Sequence, residues 1–301
     1  MKKATKAQKV ISRILILSAA MSATASIASA DSGMSVSSDQ DSLYKKIKEN
    51  SAMSYFGIYA GGSVAHPVDA LQPGVNGALD PTQPQRLENF ITPSYKLSKD
   101  LSVGVVTHSY YYMAGTNPSA GQTGQDLRML DPALKVSRAN LIDTGPLKLT
   151  GILTATLPIT ANDTLGKNKE ITGISPTFSA DYDIPKTALT LSLYGYVTGY
   201  IGTSSTPGTA NNYKVYLAPN ANYQFTPKFA GTMWVDLVQI SHTRDNSGLL
   251  AGANNATADI EPGFKYDFSK NFSLNPILNI YPSNPTLAST SVQAVILGKF
   301  F

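Results

Sequence analysis

The 301-residue chain contains no cysteine, one tryptophan and three histidines. Without disulfides, an exported protein must be stabilised by its core, by oligomerisation or by a membrane. Long apolar runs are also missing, because after residue 30 none reaches the ~18 residues that a transmembrane helix needs. The spacing of His66, His108 and His242 does not match a metal site. These absences exclude disulfide scaffolds and helical membrane proteins, and no metal or cofactor is expected.

The first thirty residues have the pattern of a secretory signal peptide. A basic start, MKKATKAQK, precedes a short apolar stretch over 11–20, and Ala28-Ser29-Ala30 offers a small-residue cleavage site. We predict cleavage near Ala30, with a membrane-tethering N-terminus as the alternative. The leader holds five of the 24 Lys and Arg residues and no acid, so 19 basic and 20 acidic residues remain. This near-neutral mature chain gives no electrostatic case for nucleic acid.

Residues 31–52 form a separate N-terminal segment in our domain assignment, between the leader 1–30 and a barrel over 53–301. The segment begins as a polar, Ser-rich linker and continues as a short amphipathic helix over 42–50. Leu43 and Ile47 stand four residues apart, behind residues that can cap a helix. A disordered tail is the alternative to the helix.

From Met53 onward the hydrophobic pattern has a period of two. In ALTLSLYGYVTGYI, the residues Leu189, Leu191 and Leu193 share one face, whereas Thr190 and Ser192 share the other. Alternation over ~10 residues is typical of half-buried strands and of transmembrane barrel strands.

Five prolines reveal a repeat. They stand in the middle of predicted strands, where proline is normally excluded because it cannot donate to the ladder. Each repeat unit has a proline strand, a short turn, a second strand and a long polar loop. Adding a first strand at about 53–64 and a last one at about 289–301 gives about 12 strands. The prolines, separated by 39, 44, 43 and 43 residues, are Pro93, Pro132, Pro176, Pro219 and Pro262.

The leader, the alternating strands and the terminal VQAVILGKFF resemble Gram-negative outer-membrane β-barrel proteins of the porin-like class. The resemblance implies an all-β, transmembrane antiparallel barrel with short periplasmic turns and long external loops. It also implies that Phe301 is the signal read by the barrel-assembly machinery, with Leu297 and Val295 at the alternate apolar positions. Lys299 departs from that pattern, which leaves Phe300 as the alternative outward residue. A soluble β-sandwich, propeller or β-helix is disfavoured by strands of ~10–12 residues, which suit a bilayer.

The alternation assigns each face of the predicted strands. The apolar face must contact lipid, and all five prolines lie on it. Because prolines remove donors from the ladder, we predict a bulge or local widening beside each one. Near the short turns, outward aromatic residues predict a periplasmic girdle: Tyr95, Tyr182, Tyr223, Phe225, Tyr266 and Phe268. The inward, channel-lining positions are Thr92, Lys96, Asp131, Lys135, Lys148, Asp181, Asp236, Glu261 and Lys265.

This architecture predicts that the protein is a passive porin or channel for small polar solutes or ions in the outer membrane of a Gram-negative bacterium. One alternative is a structural or adhesive barrel whose lumen is sealed by paired charges. Another is a lipid-active enzyme, because SHTRDNSG at 241–248 gathers Ser, His, Asp and Asn. That stretch lacks the His-x-Ser signature of outer-membrane phospholipases, and parity with Phe229 predicts that His242 points inward, so no catalytic residue is assigned.

The expected partners are the lipid bilayer, lipopolysaccharide and the barrel-assembly machinery. Whether the chain forms a homo-oligomer remains open. The N-terminal helix could plug the lumen or hang in the periplasm, and both positions remain open.

Overall fold

The structure is a computed structural model that describes residues 50–65, 71–74, 76–112, 126–159, 170–202, 211–243, 254–255 and 257–300. The predicted signal peptide, nearly all of the N-terminal segment and Phe301 lie outside these ranges. Residues Asn50–Phe301 form one compact unit. Within the described ranges, no helix combines the length and hydropathy that crossing a membrane requires.

The described residues form 17 β-strands that alternate with turns and loops. In chain order they are β1 Ser51–Ser63, β2 Leu71–Pro73, β3 Leu79–Pro84, β4 Arg86–Lys96, β5 Leu101–Tyr112, β6 Asp126–Met129, β7 Ala133–Asp143, β8 Leu147–Thr156, β9 Glu170–Asp183, β10 Leu189–Gly202, β11 Asn211–Thr226, β12 Phe229–Asp236, β13 Val238–Thr243, β14 Asn254–Asn255, β15 Asp259–Ser269, β16 Phe272–Asn279 and β17 Ser291–Phe300.

Twelve of these strands close into one antiparallel barrel. Neighbours follow the chain order β1, β4, β5, β7, β8, β9, β10, β11, β12, β15, β16 and β17, and β17 pairs back onto β1. The strands β6 and β13 extend the pairing on β5 and β11, β14 adds to β13, and β2 pairs with β3 in a separate hairpin. The predicted fold class, an all-β closed barrel of about 12 strands, is confirmed.

Short and long connections lie at opposite ends of the barrel. Connections of two to five residues join β4 to β5, β7 to β8, β9 to β10, β11 to β12 and β15 to β16. The even strand count brings the start of β1 and the end of β17 to the short-turn end, where Met53 pairs with Phe300. All longer connections lie at the other end, as expected for this class of barrel.

The outward face of the barrel is apolar. On β10, Leu191, Val197 and Ile201 are 43%, 47% and 50% exposed, and similar residues recur around the wall. The inward positions of β16, Ser273, Asn275 and Asn279, are instead polar and buried. Monomeric soluble proteins rarely expose apolar surface on this scale, whereas a lipid-facing wall requires it.

The five prolines all lie on this outward face. Cross-strand pairing places four of them opposite Met53, Leu153, Leu193 and Met233, which are themselves outward. Pro132 alternates with the exposed Leu134 and Val136 of the same segment. A proline therefore stands on the lipid face of every second strand from β4 to β15.

The predicted bulge is absent beside Pro93. Between the pairs Ile91/Thr107 and Ser94/Gly104 the register of β4 and β5 does not change. Only two successive residue pairs of the β4–β5 ladder are missing. The hydrogen bonds of both would need the backbone N–H that Pro93 lacks. The β9–β10 ladder beside Pro176 and the β15–β16 ladder beside Pro262 have the same uninterrupted register. No bulge forms at these three positions, and the predicted disturbance is limited to the residue pairs missing beside each proline. One lost hydrogen bond is less damaging than a slip that turns later side chains to the other face.

A register change does lie beside Pro219. Asn220 pairs with Trp234, whereas Leu217 pairs with Val238, so one extra residue is accommodated between β12 and β13. Leu237 spans the gap by donating its N–H to the Leu217 carbonyl at 3.1 Å. The bulge prediction therefore holds at this proline.

Pro132 combines a lost donor with a register change on its other side. Its carbonyl accepts the Leu157 N–H at 2.7 Å, so its nitrogen faces β8. On the β5 side, Ser109 pairs with Met129 but Val106 pairs with Ala133, which again accommodates one extra residue. The irregularity thus lies on the seam that the proline nitrogen does not face.

Replacing Pro93 with alanine should restore the missing hydrogen bond to the Val105 carbonyl. The matched control is P219A, because the ladder beside Pro219 is interrupted by the register change between β12 and β13. Both variants lose the restriction that proline places on the unfolded chain. P93A should therefore exceed P219A in free energy of unfolding by about 0.5–1.5 kcal/mol, measured by urea unfolding in lipid vesicles. Equal values would contradict the regular ladder at Pro93.

Gly263 should not tolerate a side chain. A Cβ there would lie 2.4 Å from Ile277 Cγ2 and 2.6 Å from the Pro276 carbonyl oxygen. At Gly199, on the lipid face, a Cβ would meet no atom within 4 Å. G263A should lose about 1–3 kcal/mol of unfolding free energy because β15 and β16 must separate, whereas G199A should leave the urea midpoint unchanged. A smaller loss for G263A than for G199A would refute this packing.

Candidate functional site

Cross-strand pairing shows where the nine predicted channel-lining residues lie. Eight alternate with outward residues and so face the lumen. Lys148, for example, pairs with Asp181, and Glu261 pairs with the inward Trp234. Asp131 precedes β7, is 7% exposed, and accepts the Ile159 N–H on its Oδ1 at 2.9 Å. The eight are Thr92, Lys96, Lys135, Lys148, Asp181, Asp236, Glu261 and Lys265.

Four inward lysines lie between the prolines and the short turns, and Lys214 faces the lumen on the loop side, opposite Thr198. The four are Lys96, Lys135, Lys148 and Lys265. Lys265 Nζ is 3.1 Å from Asp267 Oδ1, and Lys148 Nζ is 3.4 Å from Asp183 Oδ2. Lys148 and Lys265 are therefore each compensated by a neighbouring carboxylate, whereas Lys96 and Lys135 form no ion pair with another described residue. The Lys148–Asp183 pair is about half exposed, and such pairs add little to stability.

An acidic cluster occupies the lumen wall on the loop side of the prolines. Asp236 stands directly opposite Asp259, and Glu261 follows two residues along β15. One carboxylate oxygen from each of the three lies within 4.8 Å of the others. No Lys or Arg in the described part of the chain forms an ion pair with them. Sequence reasoning missed Asp259, although its even spacing from Glu261 could have identified it.

Neutral donors position the carboxylates of the acidic cluster. The Tyr216 hydroxyl donates to Asp236 Oδ1, and Gln239 Nε2 donates to Asp236 Oδ2 at 3.1 Å. Asn279 Nδ2 donates to Asp259 Oδ2 at 2.6 Å and to Glu261 Oε1 at 3.3 Å. These donors orient the oxygens but leave their negative charge uncompensated.

Three tyrosine rings continue the wall beside the acidic cluster. The rings of Tyr196 and Tyr216 are stacked with centroids 5.1 Å apart, and Tyr194 packs edge-on at 5.9 Å from Tyr216. All three stand at alternate positions of β10 and β11, on the inward face. They narrow the lumen with rigid rings whose hydroxyls can contact polar solutes.

A second inward group on β4 and β5 was not identified from the sequence. His108 Nε2 lies 2.6 Å from Glu88 Oε1, and Phe90 stacks on the imidazole at 4.2 Å. Tyr110 packs edge-on against His108 at 5.0 Å. The even spacing of Glu88 from Thr92 was the available signal. Tyr196 lies within electrostatic range of Glu88 and of Asp236, so the two groups face a common lumen.

The inward orientation predicted for His242 is wrong. His242 pairs with Tyr213, stacks on its ring at a centroid distance of 5.1 Å and is 1% exposed. The parity argument from Phe229 fails because the register change between β12 and β13 reverses the faces beyond Leu237.

The predicted girdle residues lie outward near the short turns. Tyr223 and Phe225 have ring centroids 5.1 Å apart, and Tyr266 and Phe268 have centroids 4.9 Å apart. Tyr182 is 41% exposed at the same end, and Tyr95 pairs with the outward Val103. Such rings suit the headgroup level of a membrane.

The last strand has the opposite register from the one first predicted. Leu297 pairs with the inward Ser273 and Val295 with the inward Asn275, so both face the lumen. Phe300, 47% exposed, lies on the outward face with Ile296 and Ala294. Phe300 therefore carries the outward register, and Phe301 lies outside the described residues.

Comparisons with known proteins identify similar folds but no sequence relatives. No family model matches the chain, and no curated protein matches it. An outer membrane channel from Pseudomonas putida F1 superposes with a TM-score of 0.51 at 10% identity, covering 83% of this chain and 95% of that one. This likeness supports the barrel fold and nothing further.

Two other solved structures superpose less closely. The NanC porin has a TM-score of 0.43 at 11% identity, with 83% of this chain and 99% of that chain covered. OmpF from Salmonella typhi, in complex with daunomycin, has a TM-score of 0.39 at 11% identity, with 85% and 99% covered.

Removing the Tyr216 hydroxyl should destabilise the acidic cluster. Y216F takes from Asp236 one of its two side-chain donors, and a lost hydrogen bond to a buried acceptor costs about 1–3 kcal/mol. The control is Y194F, because the Tyr194 hydroxyl has no hydrogen-bond partner among the described residues. Urea unfolding should show the loss in Y216F only, and an equal loss in both variants would contradict a specific contact.

Proposed function

We propose that this chain is an outer-membrane barrel that acts as a passive channel for small polar solutes or ions. The observation that carries the proposal is the contrast between the two faces of one closed wall. Outward positions are apolar and exposed, whereas inward positions are polar and include four carboxylates on the loop side of the prolines, those of Glu88, Asp236, Asp259 and Glu261. A lumen with polar, charged walls offers water and ions a path that the lipid-facing wall excludes.

The acidic cluster favours cations over anions. Near the short turns, Lys148 and Lys265 have acidic partners. Farther along the lumen, the acidic cluster has only neutral donors. Rings of uncompensated charge set ion preference in pores, so the narrow part of this lumen should attract cations.

The same proposal covers location and assembly. Export by a signal peptide cleaved near Ala30 would deliver the chain to the periplasm, and the terminal Phe would engage the barrel-assembly machinery. The outward aromatic residues would then lie at the periplasmic headgroup level of a bilayer whose outer leaflet contains lipopolysaccharide. The chain would act without enzymatic chemistry.

A closed structural or adhesive barrel is the second candidate. The inward rings of Tyr194, Tyr196, Tyr216 and Tyr110 favour it, because they place bulky aromatic side chains in the lumen. The two candidates differ in one property, whether ions cross the membrane through the folded protein.

Planar-bilayer recording of the refolded mature chain separates the two candidates. We expect stepwise current in KCl with a chelator present, and a reversal potential that indicates cation preference. Heat-modifiable gel migration verifies that the barrel is folded in the same preparation. A folded barrel without stepwise current would refute the channel and support the closed barrel.

Neutralising the acidic cluster should abolish the cation preference. In the double variant D236N/E261Q the reversal potential should shift toward zero while current steps persist. The control D100N changes a charge in the short turn after β4, where Asp100 Oδ1 accepts from Asn140 Nδ2 at 2.9 Å. It should keep the reversal potential of the wild type. A cation preference retained by D236N/E261Q would place the selectivity elsewhere in the lumen.

A further inference from the structure

The acidic cluster has the composition of a binding site for a hard cation. Its three side chains offer only oxygen, and they converge from two neighbouring strands on the lumen wall. Calcium prefers carboxylate and amide oxygens at about 2.3–2.6 Å, so ligands on opposite sides of one ion lie up to about 4.6–5.2 Å apart. The three carboxylate oxygens lie within 4.8 Å of one another, a separation that two ligands of one Ca²⁺ can have.

Buried oxygens without a hydrogen-bond partner give a second, independent indication. In the described part of the chain three such side-chain atoms occur: Asn220 Oδ1, Asp259 Oδ1 and Asn279 Oδ1. Asp259 and Asn279 are each only 6% exposed. Buried acceptors are normally satisfied, and leaving them unpaired is costly, so each one requires a physical explanation.

Two of these atoms, Asp259 Oδ1 and Asn279 Oδ1, lie at the acidic cluster, whereas Asn220 is two strands away from Glu261 in the same row. Asn220 pairs with Trp234, Trp234 pairs with Glu261, and the β15–β16 register sets Glu261 opposite Asn279. One inward row across four strands thus ends at the Asn279 side chain, which reaches both Asp259 and Glu261. The Asp259 and Asn279 oxygens that lack donors lie where three carboxylates already concentrate negative charge.

We propose that Asp236, Asp259, Glu261 and Asn279 form a binding site for a divalent cation of the Ca²⁺ type in the lumen wall. The ion takes one oxygen from each carboxylate, and rotation of the Asn279 amide exchanges Nδ2 for Oδ1 as a fourth ligand. Water from the lumen completes the coordination. Tyr216 and Gln239 stay outside it and hold the two Asp236 oxygens in place.

Binding would change the charge of the lumen. A bound divalent ion compensates most of the charge of three carboxylates, so the loaded barrel has a weaker field at its narrow part than the free barrel. If the proposed channel function holds, millimolar Ca²⁺ added to the bilayer should reduce the cation preference. The site itself does not depend on that function, because equilibrium binding can be measured without any current.

The single tryptophan of the chain provides a direct probe. Trp234 is inward and directly opposite Glu261. Terbium(III) binds at oxygen sites for Ca²⁺ and luminesces when a nearby excited indole transfers energy to it. In the refolded full mature barrel in detergent, excitation of Trp234 should give terbium emission that Ca²⁺ reverses and equimolar K⁺ does not.

Four variants test this site against general charge attraction. D259N and E261Q should weaken terbium binding by more than about tenfold, since each removes a charged ligand. D267N alters an inward carboxylate on the same strand, paired with Lys265, and should bind as the wild type does. W234F should lose the sensitised emission but keep Ca²⁺ binding by calorimetry.

Two results would overturn the proposal. One is absence of Ca²⁺-reversible emission from the folded wild type at both neutral and mildly alkaline pH, which would mean that the carboxylates share protons instead of an ion. The other is an equal loss of affinity in D267N and E261Q, which would indicate diffuse attraction. Since the measurements use folded barrels without a membrane potential, they can fail or succeed independently of the conductance experiment.

Discussion

Main-chain hydrogen bonds between neighbouring strands hold the wall of this barrel together, and the β1–β17 pairing leaves no free edge. In hydrocarbon each unpaired N–H or C=O is costly, so a membrane-spanning sheet must close. Closure in turn sets the rest of the architecture. An even strand count brings the chain ends together, and strict alternation divides the side chains between a lipid face and a lumen face.

That division concentrates the polar side chains in one space. Groups distant in sequence, such as Glu88 on β4 and Asp236 on β12, come within electrostatic range of the same tyrosine. The lumen differs along its length, because Lys148 and Lys265 near the short turns have acidic partners, whereas the acidic cluster has no Lys or Arg partner among the described residues. The ion preference and the cation site that we propose would both follow from that difference.

Sequence alone gave the barrel, the strand number and most of the faces, because period-two patterning is strong where one side is apolar. It failed where local features interrupt that pattern. On β17 both faces carry apolar residues, Val295 and Leu297 on one side and Ala294 and Ile296 on the other, so the pattern could not choose between them. The extra residue near Leu237 reversed His242, and nothing in the local sequence marks it. The acidic cluster needed the register between β12 and β15, which is a long-range pairing that only the structure supplies.

The prolines distribute their missing donors unevenly around the wall. Each proline nitrogen faces the strand that follows across a short turn: β5, β8, β10, β12 or β16. The weakened seams are therefore those whose two strands are already tethered by two to five residues. Seams joined only by long loops, and the β1–β17 seam that joins the two ends of the chain, have no such defect. Under lateral tension the wall would loosen first inside its hairpins, where the strands cannot drift apart, and the cylinder would stay closed while it deforms.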